Sequence, residues 1–226
     1  MLKLGIIIQA RMGSSRLPGK VLRPIGGRPL LEHVVGRLVL LRHRATVVVA
    51  TSDLPQDDAI AEFCRTLAVE CFRGSEQDVL ARYYNCAQQY GFEQIVRLTA
   101  DNPFTDIDEL DRLIDKHLQE GNAFTYSFGQ LPIGVGAEIF SFQALERSQQ
   151  EGQAPHHREH VDEYLLENPG LFKQGVLEVP TPKNQPELRL TVDTEDDWRK
   201  ADALVRQAGT KWLTTEQIIK LCLPSV

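Results

Sequence analysis

Three observations predict an α/β fold for this 226-residue chain, a single domain built on a mostly parallel sheet flanked by helices. Short apolar runs rich in β-branched residues alternate with amphipathic helical patterns over the first 120 residues, as right-handed βαβ units require. Those runs are apolar at successive rather than alternate positions, the pattern of strands covered on both faces. Three polar segments, 10–20, 51–53 and 101–103, each follow such a run. In an open parallel sheet they meet at the carboxyl edge, where ligands bind.

Taken in order, Leu4–Gln9 is the first strand. Pro29 occupies the first-turn position of a helix whose Leu30, Leu31, Val34, Val35, Leu38 and Leu41 recur at helical spacing and are expected in the core. Ala45–Ala50 is a second strand, closed by Thr51-Ser52-Asp53, and Gln56–Leu67 is an amphipathic helix. Val69–Phe72 is a third strand. In the helix expected over Glu76–Tyr90, Tyr83 and Tyr84 face the core and Asp78 and Arg82 form an exposed i,i+4 pair. Gln94–Thr99 is a fourth strand, and Asp106 caps a helix running to about Glu120 with Asp108 and Glu109 in its first turn. That capping role takes precedence over reading Asp106-Ile-Asp108 as a metal-binding D-x-D. Beyond Ala123 the pattern predicts strands at Phe124–Phe128, Ala137–Phe140, Gln174–Val179 and Glu187–Val192, with a turn at Pro132–Gly136. Helices follow at Phe142–Gln150 and Glu159–Glu167, from Thr194 to about Gln207, and at Thr214–Cys222.

Composition narrows the function. With 42% apolar and 25% charged residues the chain reads as a soluble globular protein. No apolar run approaches the roughly 18–20 residues that span a bilayer. The first residues suit a strand better than a signal peptide, so the expected location is the cytoplasm. Cys64, Cys71, Cys86 and Cys222 lack C-x-x-C spacing and read as reduced thiols. The formal net charge is -6, yet five of the 25 Lys and Arg (Arg11, Arg16, Lys20, Arg23, Arg28) fall between positions 11 and 28. No acidic residue interrupts Ile6–Leu31. A focused cationic loop on an acidic protein favours a small polyanion over a long nucleic acid.

The spacing of that loop excludes two familiar phosphate motifs. Five residues separate Gly13 from Gly19 where a P-loop has four, Val21 stands where Ser or Thr is needed, and Pro24 blocks an immediate helix. No G-x-G-x-x-G follows the first strand. What remains is a strand, then small residues (Gly13, Ser14, Ser15) that let a backbone approach phosphate, then Arg11, Arg16 and Lys20 to neutralise it. The expected ligand is a nucleoside triphosphate. Asp101 and Asp193 each follow a strand at its carboxyl end, and their hard oxygens suit Mg²⁺ shared with phosphate. His156 and His160, four apart, are weak metal candidates for want of further ligands.

IIQARMGSSRLPGKVL, with GSEQDVLARYY at 74–84, RLTADNPFTD at 97–106, REHV at 158–161 and LRLTVDTEDD at 188–197, resembles the cytidylyltransferases that activate sugar acids. These include the acylneuraminate and 3-deoxy-manno-octulosonate enzymes, and the nearest branch is spore coat polysaccharide biosynthesis protein F. The resemblance implies a Rossmann-like, GT-A-type nucleotidyltransferase fold, transfer of CMP from CTP to a sugar acid with release of pyrophosphate, Mg²⁺ and a homodimer. By position, Arg11, Arg16 and Lys20 contact the triphosphate with Gly13, Ser14 and Ser15, while Gln9, Ala10 and Thr51 border the nucleoside. Arg11, Lys20 and Asp101 are the expected catalytic residues, and Asp101 and Asp193 the metal carboxylates. Glu138, Arg158, Glu159 and His160 are expected at the acceptor. Residues 1–120 then form the nucleotide half, 121–192 the acceptor and dimer region, and 193–226 the second metal carboxylate and terminal helices. Ala100 and Asn102 depart from the family block (Gly, and Glu or Cys) without removing a carboxylate. Other readings are a different nucleotide or a sugar-phosphate or phosphonate acceptor, a glycosyltransferase, and a nucleotide-binding subunit without turnover.

Overall fold

The computed structural model describes residues 2–209 and 212–223, so Met1, 210–211 and 224–226 of the expected single domain lie outside the described residues. Its strands are β1 (Leu4–Gln9), β2 (Pro24–Ile25), β3 (Arg28–Pro29), β4 (Thr46–Ser52), β5 (Glu70–Gly74), β6 (Gln94–Thr99), β7 (Phe124–Tyr126), β8 (Glu138–Ser141) and β9 (Gln174–Val176). Its α-helices are α1 (Leu30–Arg37), α2 (Asp58–Thr66), α3 (Val79–Tyr90), α4 (Ile107–Glu120), α5 (Phe142–Glu151), α6 (Pro155–Glu159), α7 (Glu163–Glu167), α8 (Glu195–Ala208) and α9 (Thr215–Cys222).

Seven strands form one sheet in the order β5-β4-β1-β6-β8-β7-β9, and β2 and β3 form a separate hairpin. β5, β4, β1 and β6 are parallel, β8 runs antiparallel to both β6 and β7, and β9 is parallel to β7. The chain winds outward from β1 to β4 and β5, then returns to place β6 on the other side of β1. The order therefore reverses between β1 and β6, and the loops leaving their carboxyl ends diverge to open a crevice there. The α/β class and mostly parallel sheet read from the sequence are both present.

Alternation along the strands divides the core. Ile6 and Ile8 pack with Val49, Val96 and Leu98 against Leu31, Val34, Ile60, Leu110 and Leu113 on one face. Ile7, Val48 and Ala50 pack against Leu80, Tyr83, Cys86 and Leu145 on the other. A third cluster joins Ile25 and Leu30 to Phe104, Leu190, Val192, Leu204 and Ile218, seating α8 and α9 beneath the crevice. Asp106 caps α4 as expected, accepting from Glu109 N at 3.0 Å, and pairs with buried Lys183 at 2.8 Å.

Several expected elements differ. α1 tightens into a 3-10 turn at Leu38–Leu40, which keeps Leu38 buried and turns Val39 and Leu40 out to solvent. The expected helix over Glu159–Glu167 is broken: His160 is extended (φ -114, ψ 112), leaving α6 and α7 on either side. Glu187–Val192 forms no regular strand. It runs extended beside Ile133, with Leu190 N and Thr191 N both bonded to the Ile133 carbonyl (2.8 and 3.1 Å) and Val192 N to that of Asp101 (2.9 Å). Arg82 is not exposed and does not pair with Asp78; it is 1% exposed and donates to the Ser75 carbonyl. Asp78 instead caps α3 and turns its other oxygen to Arg158.

His117 on α4 is buried, with Nε2 donating to Gln94 Oε1 (2.8 Å) and Nδ1 accepting from the Thr125 hydroxyl (2.9 Å). Burial lowers its pKa from 6.5 to about 4. The unfolded chain takes up this proton below about 6.5 and the folded chain does not, so stability falls as pH drops from 6.5 toward 4. The expected size is on the order of 3 kcal/mol. In urea denaturation across that window, His117→Gln should flatten the pH slope by this amount; an unchanged slope contradicts the assignment.

Candidate active site

The loop after β1 is shaped by a carboxylate and a carbonyl. Asp57, fully buried, accepts from Met12 N (2.7 Å), the Thr51 hydroxyl (3.0 Å), Ser52 N (3.1 Å) and the Ser52 hydroxyl (2.5 Å). Burial pushes the Asp57 carboxyl up, but these donors outweigh it and hold its pKa below the ordinary value. The Met12 carbonyl then accepts from both Ser14 N (2.9 Å) and Gly19 N (3.0 Å), pinching the loop shut. Gly19 is left-handed (φ 69), a conformation that a Cβ disfavours, and the turn there delivers Lys20 inward.

Lys20 is 7% exposed, with Nζ 2.7 Å from Asp101 Oδ2 and 2.7 Å from Asp193 Oδ1. Asp101 Oδ1 accepts from the Thr99 hydroxyl at 2.6 Å. Asp193 also meets Arg16 Nη2 at 3.2 Å and Arg189 Nη2 at 2.5 Å. Burial alone pushes Asp193 up, but Lys20, Arg189 and Arg16 hold its carboxyl below the usual range.

A cavity of about 300 Å³ opens over this triad. Gln9, Ala10, Arg11, Ser14, Ser15, Arg16, Lys20, Asp101 and Asp193 line it, so the nucleotide and metal residues expected from the sequence converge. Thr51 and Gly13 do not reach it. Thr51 is wholly buried with its hydroxyl on Asp57, and Gly13 lies outside against Gln56 and Glu76. The two carboxylates aim one oxygen each at a single point now held by an ammonium. Hard oxygens converging on a cation fit a divalent ion such as Mg²⁺.

A second cavity of about 280 Å³ adjoins the first across Gln9, Arg11, Thr99, Asp101 and His160. Glu159 and His160 line it as expected of acceptor residues, but Arg158 and Glu138 do not. The Arg158 guanidinium is consumed by Asp78 (3.0 and 2.5 Å) and Gln149 Oε1 (2.7 Å), which tie α6 to α3 and α5. Glu138 is 1% exposed and lies against Arg97. Arg97 itself lines the cavity and was not among the expected residues. Its signal was present in QIVRLT, where a lone charge interrupts a buried strand. Asn102, Gly134 and Thr191 complete the wall. Gly134 is left-handed, and a Cβ there would lie 2.6 Å from Thr191 N. Of the histidines, His156 and His157 share the Glu167 carboxylate (2.8 and 2.7 Å), while His160 turns to the cavities.

A sequence model of cytidylyltransferases matches residues 5–223. The chain belongs to the cytidylyltransferase family. This cytidylyltransferase is 38% identical over 210 residues to spore coat polysaccharide biosynthesis protein SpsF of Bacillus subtilis, covering 91% of this chain and 87% of SpsF. It is 31% identical over 130 residues to the 8-amino-3,8-dideoxy-manno-octulosonate cytidylyltransferase of Shewanella loihica, covering 54% of this chain and 52% of that one. A solved cytidylyltransferase from Leptospira borgpetersenii superposes with a TM-score of 0.92 at 33% identity, covering 98% and 94% of the two chains. The fold is thus the Rossmann-like nucleotidyltransferase type.

Removing the bridging ammonium from this cytidylyltransferase leaves Asp101 and Asp193 facing each other. Lys20→Met is expected to cost roughly 2–3 kcal/mol, less than for a sealed pair because both carboxylates keep some solvent access. Millimolar Mg²⁺ without nucleotide should then raise the melting temperature of the variant more than that of the wild type. Equal shifts would show that Lys20 does not occupy the cation position.

Proposed function

We propose that this cytidylyltransferase transfers CMP from CTP to a sugar acid, releasing pyrophosphate, with Mg²⁺ held by Asp101 and Asp193. The observation that carries the reading is the two-sided cavity, a loop of Arg11, Ser14, Ser15 and Arg16 facing two carboxylates that converge on one cation position. The sugar-acid acceptor rests on the likeness to the octulosonate enzyme, and a role in surface polysaccharide synthesis on the likeness to SpsF. A homodimer is supported by exposed Phe128, Leu171 and Val176 around the β9 end of the sheet. Four free cysteines favour the cytoplasm.

In this reading Arg11 and Arg16 bind phosphate oxygens, with the Ser14 and Ser15 hydroxyls and loop N–H groups as further donors. Gln9 and Ala10 border the nucleoside. Lys20 exchanges carboxylate oxygens for phosphate oxygens as the triphosphate enters, and balances charge that develops on departing pyrophosphate. Mg²⁺ would supply positive charge at the α-phosphate and favour ionisation of the attacking hydroxyl. Glu159 and His160 orient the acceptor from the second cavity.

Pyrophosphate release from CTP with a panel of sugar acids tests the reading. Asp101→Asn is expected to lower kcat by about 10²–10³. EDTA should abolish wild-type turnover and excess Mg²⁺ restore it. A fully active Asp101→Asn enzyme, or turnover indifferent to chelation, overturns the metal assignment.

A further inference from the structure

Arg97 stands in the middle of β6 with its side chain 16% exposed, lining the second cavity. Nη1 donates to Glu138 Oε1 and lies 3.7 Å from Asp162 Oδ1. Nε is buried without a partner, and Nη2 makes no hydrogen bond among the described residues. One corner of the fork is therefore clamped, Nε is sealed inside, and Nη2 is left as the donor without an acceptor among the described residues that the cavity can reach. A cationic donor fixed at that point suits a carboxylate, which accepts a charge-assisted hydrogen bond there.

Stability does not explain the arrangement. A buried Arg–Glu pair is commonly matched or bettered by apolar residues of similar volume, and unpartnered donors add a further cost. A fixed guanidinium beside a cavity is explained by recognition. The other charged groups lining the cavity are Arg11, Asp101 and Glu159. Arg11 and Asp101 also line the nucleotide cavity, and Glu159 is acidic and exposed. Arg97 is thus the cation left for an acceptor. Burial and the nearby Asp162 push the Glu138 carboxyl up, to about 7, even with Arg97 pulling it down.

We propose that Arg97 is the specificity-determining anchor for the acceptor's carboxylate, held in aim by Glu138 and Asp162. The inference rests on the reading of this protein as a CTP-dependent enzyme of sugar acids, and makes the acid group the recognised feature. Hydroxyls of the acceptor then fall to Glu159, His160, Asn102 and Thr191 around the same cavity.

The test measures pyrophosphate release from CTP and Mg²⁺ with N-acetylneuraminate and with 3-deoxy-manno-octulosonate, each as free acid and as its methyl ester. The better free acid is expected to exceed its ester by about 10² in kcat/KM in the wild type. In Arg97→Met the preference should collapse to within a few-fold through a raised KM for the acid, with the KM for CTP unchanged. Arg97→Lys, which keeps the charge but not the fork, should retain part of the preference and serves if Arg97→Met fails to fold. Full preference for the acid in either variant overturns the assignment while leaving the sugar-acid reading intact. Wild-type turnover of esters as fast as acids also overturns it. No turnover of either free acid by the wild type overturns the underlying reading, and the Arg97 assignment with it.

Discussion

Lys20 Nζ, 2.7 Å from an oxygen of each of Asp101 and Asp193, ties together three segments far apart in sequence: the loop after β1, the end of β6 and the entry to α8. Every other feature of the cleft is placed relative to that bridge. The Asp57 hydrogen bonds and the Met12 carbonyl fold the loop so that Lys20 points inward while Ser14, Ser15 and Arg16 stay at the mouth. Val192 N on the Asp101 carbonyl, at 2.9 Å, brings the Asp193 segment alongside the end of β6. Two carboxylates that converge on one point repel each other unless a cation lies between them. The protein supplies one itself, and a cation position persists in the cleft whether or not a divalent ion is bound.

Buried polar groups in this protein divide by purpose. Asp106, Glu109 and Lys183 form a cluster that caps α4 and docks the Thr181–Lys183 turn, which follows β9, onto it, and His117 with Gln94, Thr125 and Asn122 ties down the opposite end of α4. The charged groups and the imidazole of these networks are matched by protein partners, with Asn122 Oδ1 the atom left over. Arg97 is open, with donors left unmatched beside a cavity. Low dielectric makes an unmatched donor costly and a matched one strong, so the open group is where a ligand gains most. The parallel half of the sheet thus presents the cationic loop, and β8, running antiparallel next to β6, brings Glu138 to clamp Arg97 beside the second cavity.

Much of the site was legible before folding because it follows strand ends. Arg11, Ser14, Ser15, Arg16, Lys20 and Asp101 lie directly after β1 or β6, and a parallel sheet fixes the level at which such residues emerge. Thr51 obeyed the same rule yet turned inward, since a buried carboxylate, Asp57, needed its hydroxyl. Arg158 was chosen as a charge in a matching block and Glu138 as the charge that ends PIGVGAE, but both found protein partners that no local pattern reveals. Arg82 was placed on the surface by helical spacing, and tertiary packing buried it.

By itself the sequence determined the α/β class, the parallel strands, the cationic loop and the two carboxylates, because hydrophobic periodicity and strand-end chemistry are local properties. Only the tertiary structure decided the antiparallel placement of β8, the break at His160, the extended path from Leu188 to Val192 and the seating of the Arg97 guanidinium beside the second cavity. Each of those depends on which groups lie across the fold. A hydrogen-bond partner 41 or 173 residues away leaves no trace in local spacing. The cationic loop was written in one stretch of chain, whereas the wall of the second cavity was assembled from six.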